Sequence, residues 1–219
     1  AYTEIVKRFG NRTDWIAFID CDEFLTPTGN ANSVNDVLSI GEVDTTVGAI
    51  CVNWAMYGSS GALTPVNEPV VARFHNRATQ NHDTNRHIKS IVRSRAFLRT
   101  ALNSHAFNLR FAYRAIKTNG IGAHPAETYV GSTKEVMWDN IRLNHYFVKS
   151  KAEFELIKIP RGVGDGQVKR RGESEFRAHD YNDVSDPMPD WLIAATMKEM
   201  EKIRELLRRS GCPEELVLL

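Results

Sequence analysis

The 219-residue chain has few cysteines, almost no net charge and no long apolar run, and each shortage narrows what it can be. Cys21, Cys51 and Cys212 are widely spaced and form no C-x-x-C, so neither a disulfide framework nor a thiolate zinc site is expected. Cys21 and Cys51 stand in apolar contexts and read as small buried hydrophobes, which fits a reducing compartment. A formal net charge of +1 gives no electrostatic case for nucleic acid. The basic clusters Lys169-Arg170-Arg171 and Arg204, Arg208, Arg209 read as solvated surface. No apolar stretch reaches the roughly 18 residues of a membrane span, and the N-terminus does not resemble a signal peptide. The expected location is therefore cytoplasmic.

The most informative segment that is present runs Trp15-Ile16-Ala17-Phe18-Ile19-Asp20-Cys21-Asp22-Glu23-Phe24-Leu25. Five apolar residues without alternation predict a strand buried on both faces, as in the middle of a parallel sheet. The run stops on three carboxylates within four positions, and in open α/β sheets ligands collect at the carboxyl ends of strands. Asp20 and Asp22 would share a side if the strand continued. Two hard oxygen ligands side by side suit a divalent cation that bridges a pyrophosphate. A solvated turn is the plainer alternative, and Thr26-Pro27-Thr28-Gly29-Asn30 is a turn by composition.

Besides this segment, Ala1 to Phe9 predicts the end of an amphipathic helix. Val34 to Ile40 predicts a short helix capped by Asn32 or Ser33. Val47 to Met56, Val70 to Phe74, Ile88 to Val92, Tyr113 to Thr118 and Ile141 to Leu143 predict strands. Gly58 to Gly61 predicts a flexible loop, and the polar stretch His75 to Arg86 a mobile one. Phe97 to Phe111 fits helix or strand. Lys151 to Ile159 predicts a helix ended by Pro160. Residues 162–189 predict a loop or insertion with little core. The last helix follows Pro187 or Pro189, is capped by Asp186 or Asp190, and carries an apolar stripe of Ile193, Met197, Met200, Ile203 and Leu207 expected to pack in a core or against a neighbour.

The W-I-A-F-I-D-x-D-E-F-L segment resembles the D-x-D region of glycosyltransferase family 2 relatives with the GT-A fold, in particular the branch that is similar to the family 92 glycosyltransferases. Three more segments resemble that branch in the same order: Trp54-Ala55-Met56-Tyr57-Gly58-Ser59-Ser60-Gly61, His87-Ile88-Lys89-Ser90-Ile91-Val92-Arg93, and Asn144-His145-Tyr146-Phe147-Val148-Lys149-Ser150 with Glu153-Phe154, Lys158 and Arg161-Gly162. The resemblance implies an α/β fold of GT-A (Rossmann-like) type, a mixed and mostly parallel sheet flanked by helices, with a C-terminal amphipathic helix. It also implies that the N-terminal part of that domain, with most of the base pocket, is missing. Residues 1–162 are then the C-terminal portion of a GT-A domain, and residues 163–219 a loop or insertion plus the last helix.

The implied activity is transfer of a sugar from a nucleotide-diphosphate donor, a UDP-sugar foremost, to a hydroxyl of a glycan or other acceptor, with inversion and with Mn2+ or Mg2+. By resemblance Asp22 and His145 hold the metal, Asp20 touches the metal or the ribose, and Glu23 orients one of them. His105 and His124 are lesser metal candidates. Lys89, Arg93, Lys149 and Arg161 are expected beside the donor phosphates, although an edge-strand surface role competes for Arg93. Trp54, Tyr57, Gly58, Ser59 and Ser60 are expected at the acceptor, although Trp54 also suits a core. Glu68 and Asp83 are the candidate general bases. Polysaccharide assembly at the inner face of a membrane, by peripheral association, follows from the resemblance alone.

Two other readings compete. Ile19-Asp20-Cys21-Asp22 also resembles the opening motif of haloacid-dehalogenase-like phosphatases, with Gly164-Asp165-Gly166 as a late metal motif, but the residues that should surround both motifs are absent. A non-catalytic metal- or glycan-binding fragment is the second.

Overall fold

The computed structural model describes residues 2–100, 105–124, 131–161 and 171–213. In chain order the elements are helix Tyr2–Phe9, strands β1 (Trp15–Ala17) and β2 (Glu23–Pro27), helix Val34–Val43, β3 (Val47–Met56), helix Val70–Arg73, β4 (Asn76–Arg77), β5 (Ile88–Arg93), β6 (Phe97–Thr100), β7 (Phe107–Leu109), β8 (Arg114–Lys117) and β9 (Ile141–His145). Helical turns Lys151–Glu153, Phe154–Lys158 and Ile159–Arg161 follow, then helix Glu173–His179, β10 (Val184–Ser185) and helix Asp190–Arg209. None of the described helices is long and apolar enough to cross a membrane.

The chain forms two compact units, one comprising the described residues up to Met56 with Thr79–His145, the other Tyr57–Ala78 with the described residues from Tyr146 onward. The sequence-based boundary at residue 162 does not coincide with this division, because residues 57–78 join the later part of the chain.

In the first unit a mixed sheet runs in the order β1-β5-β3-β9-β2, with β8 also on β3. β3 is the centre. It pairs antiparallel with β5, and in parallel with β8 at its start and with β9 at its end. The β1–β5 and β2–β9 pairs are also antiparallel, so the expectation of a mostly parallel sheet is corrected: parallel pairing among the described residues is confined to β3.

The strands buried along their length are β5, β9 and β3, where only Trp54 keeps partial exposure. The lead-in to the acids is a different case. β1 is an edge strand of three residues, and Ala17 and Ile19 are exposed. Its apolar character has another cause: Ile16 and Phe18 pack with Tyr2, Val6, Val92 and Phe107, and Phe18 stacks on Tyr2 with ring centroids 4.3 Å apart. The opposite face of the sheet carries Ile50, Val52, Ile91 and Leu143 against Val37 and Leu38 of helix Val34–Val43. That helix starts as expected. Ser33 accepts from the Asp36 N–H while the Asp36 carboxylate accepts from the Ser33 N–H, a capping box.

Other expectations are corrected. Residues 75–86 are not a loose loop: Asp83–Arg86 is a 3-10 turn around a fully buried Asn85, whose Oδ1 accepts from Met56 N–H and whose Nδ2 donates to Thr79 O and Gln80 O. Phe97 to Phe111 contains the β6–β7 antiparallel pair. Cys21 is exposed in the turn after β1, and Cys51 is buried in β3.

In the second unit Tyr57, Phe74 and Tyr146 are fully buried together, and Val148, Phe154 and Phe176 form a neighbouring cluster. Val70–Arg73 is a helical turn behind Pro69 rather than a strand, which turns Val71 and Phe74, three apart, inward. The loop at residues 58–61 is tied down. Ser59 and Ser60 N–H groups donate to Asp180 and Asn182 side chains, and Ser60 Oγ accepts from His75 and Asn76 N–H. Gly58 is required there, since a Cβ would run into the Tyr181 carbonyl.

Pro160 does not end its helix. Ile159 N–H reaches back five residues to Phe154 O, so the helix widens by a π turn just before the residue that has no N–H to give. Of the region read as a coreless loop, residues 162–170 lie outside the described residues; the remainder holds helix Glu173–His179, with Phe176 buried, and β10, paired with β4. The long helix Asp190–Arg209 buries none of its residues: Ile193, Met200 and Leu207 are half-buried, Met197 and Ile203 exposed, so its stripe is not core.

Candidate functional site: an acid turn at the end of the sheet

Alternation places the site. Lys89 stands opposite Val52 in the β3–β5 ladder, Leu143 opposite Trp54 in β3–β9, and His145 opposite Glu23 in β2–β9. Side chains two apart on a strand share a face, so Lys89, Trp54, His145 and Glu23 all project on the face that carries Val52 and Leu143. They gather where the parallel strands β3 and β9 end, the usual place for a ligand in an open α/β sheet.

The acids do not continue a strand. Phe18 to Asp22 leave β1 and turn into β2, closed by Glu23 N–H donating to Asp20 O at 3.0 Å. Asp20 and Asp22 therefore face different partners. Asp20 is the exposed one, with 59% of its side chain open, and its Oδ2 accepts from Lys89 Nζ at 2.9 Å. Asp22 is mostly covered, and its Oδ1 lies 3.7 Å from His145 Nε2. Glu23 is fully enclosed. Its Oε2 accepts from the Asp20 N–H at 2.8 Å and lies 3.4 Å from Lys89 Nζ. Its Oε1 has no hydrogen-bond partner among the described residues.

Burial pushes the Glu23 carboxyl up, against the lowering pull of the Asp20 N–H and of Lys89. Burial works to lower Lys89, but the carboxylates of Glu23 and Asp20 outweigh it and hold the ammonium above its ordinary range. Lys89 is thus a charged lysine with only 3% of its side chain exposed.

Trp54 is ringed by imidazoles. His87 stacks on it at 4.9 Å, and His145 and His105 meet it edge-on at 4.5 and 5.4 Å. Burial, then Lys89, lower the pKa of His105, whose Nδ1 lies 3.1 Å from Ile88 O. His87 was not foreseen as a site residue. The signal was available, since it lies two before Lys89 and so on the same face.

The remaining residues fall elsewhere. Arg93 shares a face with Lys89 but sits four residues on, beside Trp15 at the far end of β5. Its guanidinium donates to the carbonyls of Gly41 and Val47 and stacks 4.3 Å from the Trp15 ring, so its donors serve the fold. His124 is exposed. Asp83 is exposed and pairs with Arg86 at 3.1 Å. In the second unit, Tyr57 is fully buried with its hydroxyl donating to Asp186 O, which rules out an open aromatic platform there. Gly58, Ser59 and Ser60 form the tied loop described above. Lys149 holds a positive φ of 55° ahead of the helical turns, Arg161 is exposed at their end, and Glu68 is exposed. The Gly164-Asp165-Gly166 segment lies outside the described residues.

Among the described residues no group of three or more His, Cys, Asp or Glu side chains stands ready to hold a metal ion. The pair Asp22 and His145, a hard oxygen and an imidazole, suits a cation of the Mn2+ type that keeps water or ligand oxygens in its other positions. Asp20 does not join that pair.

The first unit is thus a mixed α/β sheet with acids and bases gathered where its parallel strands end. The model for Glycosyltransferase family 92 matches residues 1–157, and the chain belongs to that family. Membership implies sugar transfer from a donor to an acceptor. No curated protein matches the chain.

Proposed function

We propose that this protein is a GT-A-type, divalent-cation-dependent glycosyltransferase that moves a sugar from a nucleotide-diphosphate donor, a UDP-sugar foremost, to an acceptor hydroxyl with inversion. The observation that carries the reading is the pairing of Asp22 with His145 at 3.7 Å, at the end of the sheet and inside the family's matched region. Asp22 and His145 would hold the cation. When bound, the cation would offset the negative charge that develops on the departing diphosphate. Asp20 would offer its open oxygen to hydroxyls of the donor while Lys89 fixes the other. Trp54 gives the site an apolar wall, and His87 on its outer face lies open to a ligand.

The test is calorimetric titration of UDP into the chain with and without Mn2+, repeated for Asp22→Asn and His145→Gln. Binding that needs Mn2+ and weakens at least ~10-fold in both variants, with unfolding midpoints unchanged, supports the reading. Equal UDP affinity in wild type and Asp22→Asn would overturn it.

A further inference from the structure

The acid turn contains more negative charge than the Asp22–His145 pair explains. Asp20 and Glu23 converge on a single point, and that point is occupied by the Lys89 ammonium, 2.9 Å from Asp20 Oδ2 and 3.4 Å from Glu23 Oε2. The lysine stem is buried alongside Val52, so the ammonium is held where it stands, while 59% of the Asp20 side chain is exposed. Glu23 closes the ring by accepting from the Asp20 N–H, and its second oxygen, fully enclosed, has no hydrogen-bond partner among the described residues. Two carboxylates that meet at one point, with a spare buried oxygen on one of them, have the chemistry of a hard-cation site. What fills the point is a side chain of the protein itself.

We propose that Lys89 is the resident counter-ion of the acid turn: its ammonium takes the place between Asp20 and Glu23 that a divalent cation would otherwise take, and thereby confines divalent-cation binding to Asp22 and His145. A second positive ion beside a buried ammonium is repelled at short range, whereas Asp22 Oδ1 lies 3.7 Å from the His145 imidazole. Lys89 acts on the site's ion stoichiometry through Asp20 and Glu23, as a positioning residue. The Asp22–His145 arm of this assignment rests on the functional reading above, and the Asp20–Glu23 arm does not.

The experiment counts bound Mn2+ by electron paramagnetic resonance of the free ion, on the full chain and on variants. Lys89→Ala removes the ammonium and leaves room for an ion. It is expected to bind an additional Mn2+, or to bind Mn2+ at least ~10-fold more tightly than wild type. That gain should vanish when Asp20→Asn is added and persist when Asp22→Asn is added. No gain in Lys89→Ala, or a gain that survives Asp20→Asn, overturns the proposal. Wild type that binds no Mn2+ would sink the Asp22–His145 reading alone, since the Lys89→Ala gain is measured independently of it. Should Lys89→Ala not fold, a double-mutant cycle of Lys89→Met with Glu23→Gln decides instead. A counter-ion role requires the second substitution to recover stability lost in the first; strictly additive losses would mean that Lys89 only fills space.

Discussion

In the second unit Arg73 and Glu153 meet through two hydrogen bonds of 2.9 Å, and Ser150 adds its N–H and hydroxyl to the same carboxylate. In the first unit a single ammonium answers two carboxylates, a third carboxylate turns toward an imidazole, and a buried oxygen of Glu23 lacks a partner among the described residues. Both arrangements remove charge from water, which costs free energy unless each group is matched. The bidentate pair answers both oxygens of Glu153 and fixes a shape, with only Arg73 Nε left without a partner among the described residues. The acid turn is matched only in part on its carboxylates, and the mismatch falls where the strands end.

The sharpest way to break this comparison is to open the closed pair. Arg73→Met strands Glu153 and should cost about 3 kcal/mol in urea unfolding, while Mn2+ affinity of the folded protein stays within about twofold. The same pair sets an acid limit. Glu153 is held from its ordinary 4.5 down to about 2 by Arg73 and Ser150, against the raising effect of burial. A depressed carboxyl contributes stability that is whole above pH 4.5 and is lost as the pH falls through about 2. Stability followed by circular dichroism over that window should fall in wild type and flatten in Arg73→Met.

A smaller loss is expected from Asn85→Ala. It removes the side-chain partner of Met56 N–H and of the Gln80 and Thr79 carbonyls, of which Thr79 O keeps the His82 N–H, and should cost about 2 kcal/mol by denaturant titration. Next comes the open cluster itself. Asp22→Asn keeps the shape of the turn and should change the unfolding free energy by less than about 0.5 kcal/mol, yet weaken Mn2+ binding at least ~10-fold. If stability fell as far as in Arg73→Met, Asp22 would belong with the closed pairs and the comparison would fail. The capping box gives a modest effect with no change in Mn2+ binding: Ser33→Ala should cost about 1 kcal/mol, read as a lowered urea midpoint at constant slope.

Local chemistry was legible wherever one residue type has one use. β3 has the bounds that its largely apolar run predicts, Ser33 caps the helix it precedes, and β8 and β9 follow the strand signals at Tyr113 and Ile141. Short apolar runs were misread, because four residues such as Val70-Val71-Ala72-Arg73 satisfy a strand or a helical turn equally, and only the burial of Val71 and Phe74 separates the two. The run at Trp15 was misplaced in the sheet for a similar reason. Aromatic cover from Tyr2 and Phe107 makes an edge strand as apolar as a central one. At the site, the residue types were readable and their pairing was not. Nothing in D-x-D-E says that the first acid turns to a lysine and the second to a histidine, since both choices depend on a turn at Cys21 and on partners far along the chain.

The register of β2 on β9 has a further consequence for how this protein tolerates change. Glu23 stands opposite His145, and the two strands are joined by a long excursion that includes most of the first unit. Length changes confined to the exposed loops of that excursion, outside β3 and β5, leave the register of this ladder as it is. A single residue added inside β2, by contrast, would carry every side chain of the strand to the opposite face and send Glu23 away from Lys89. The spacing from Asp20 to Pro27 is thus a ruler set by the pleat, and the surrounding loops are free to diverge around it.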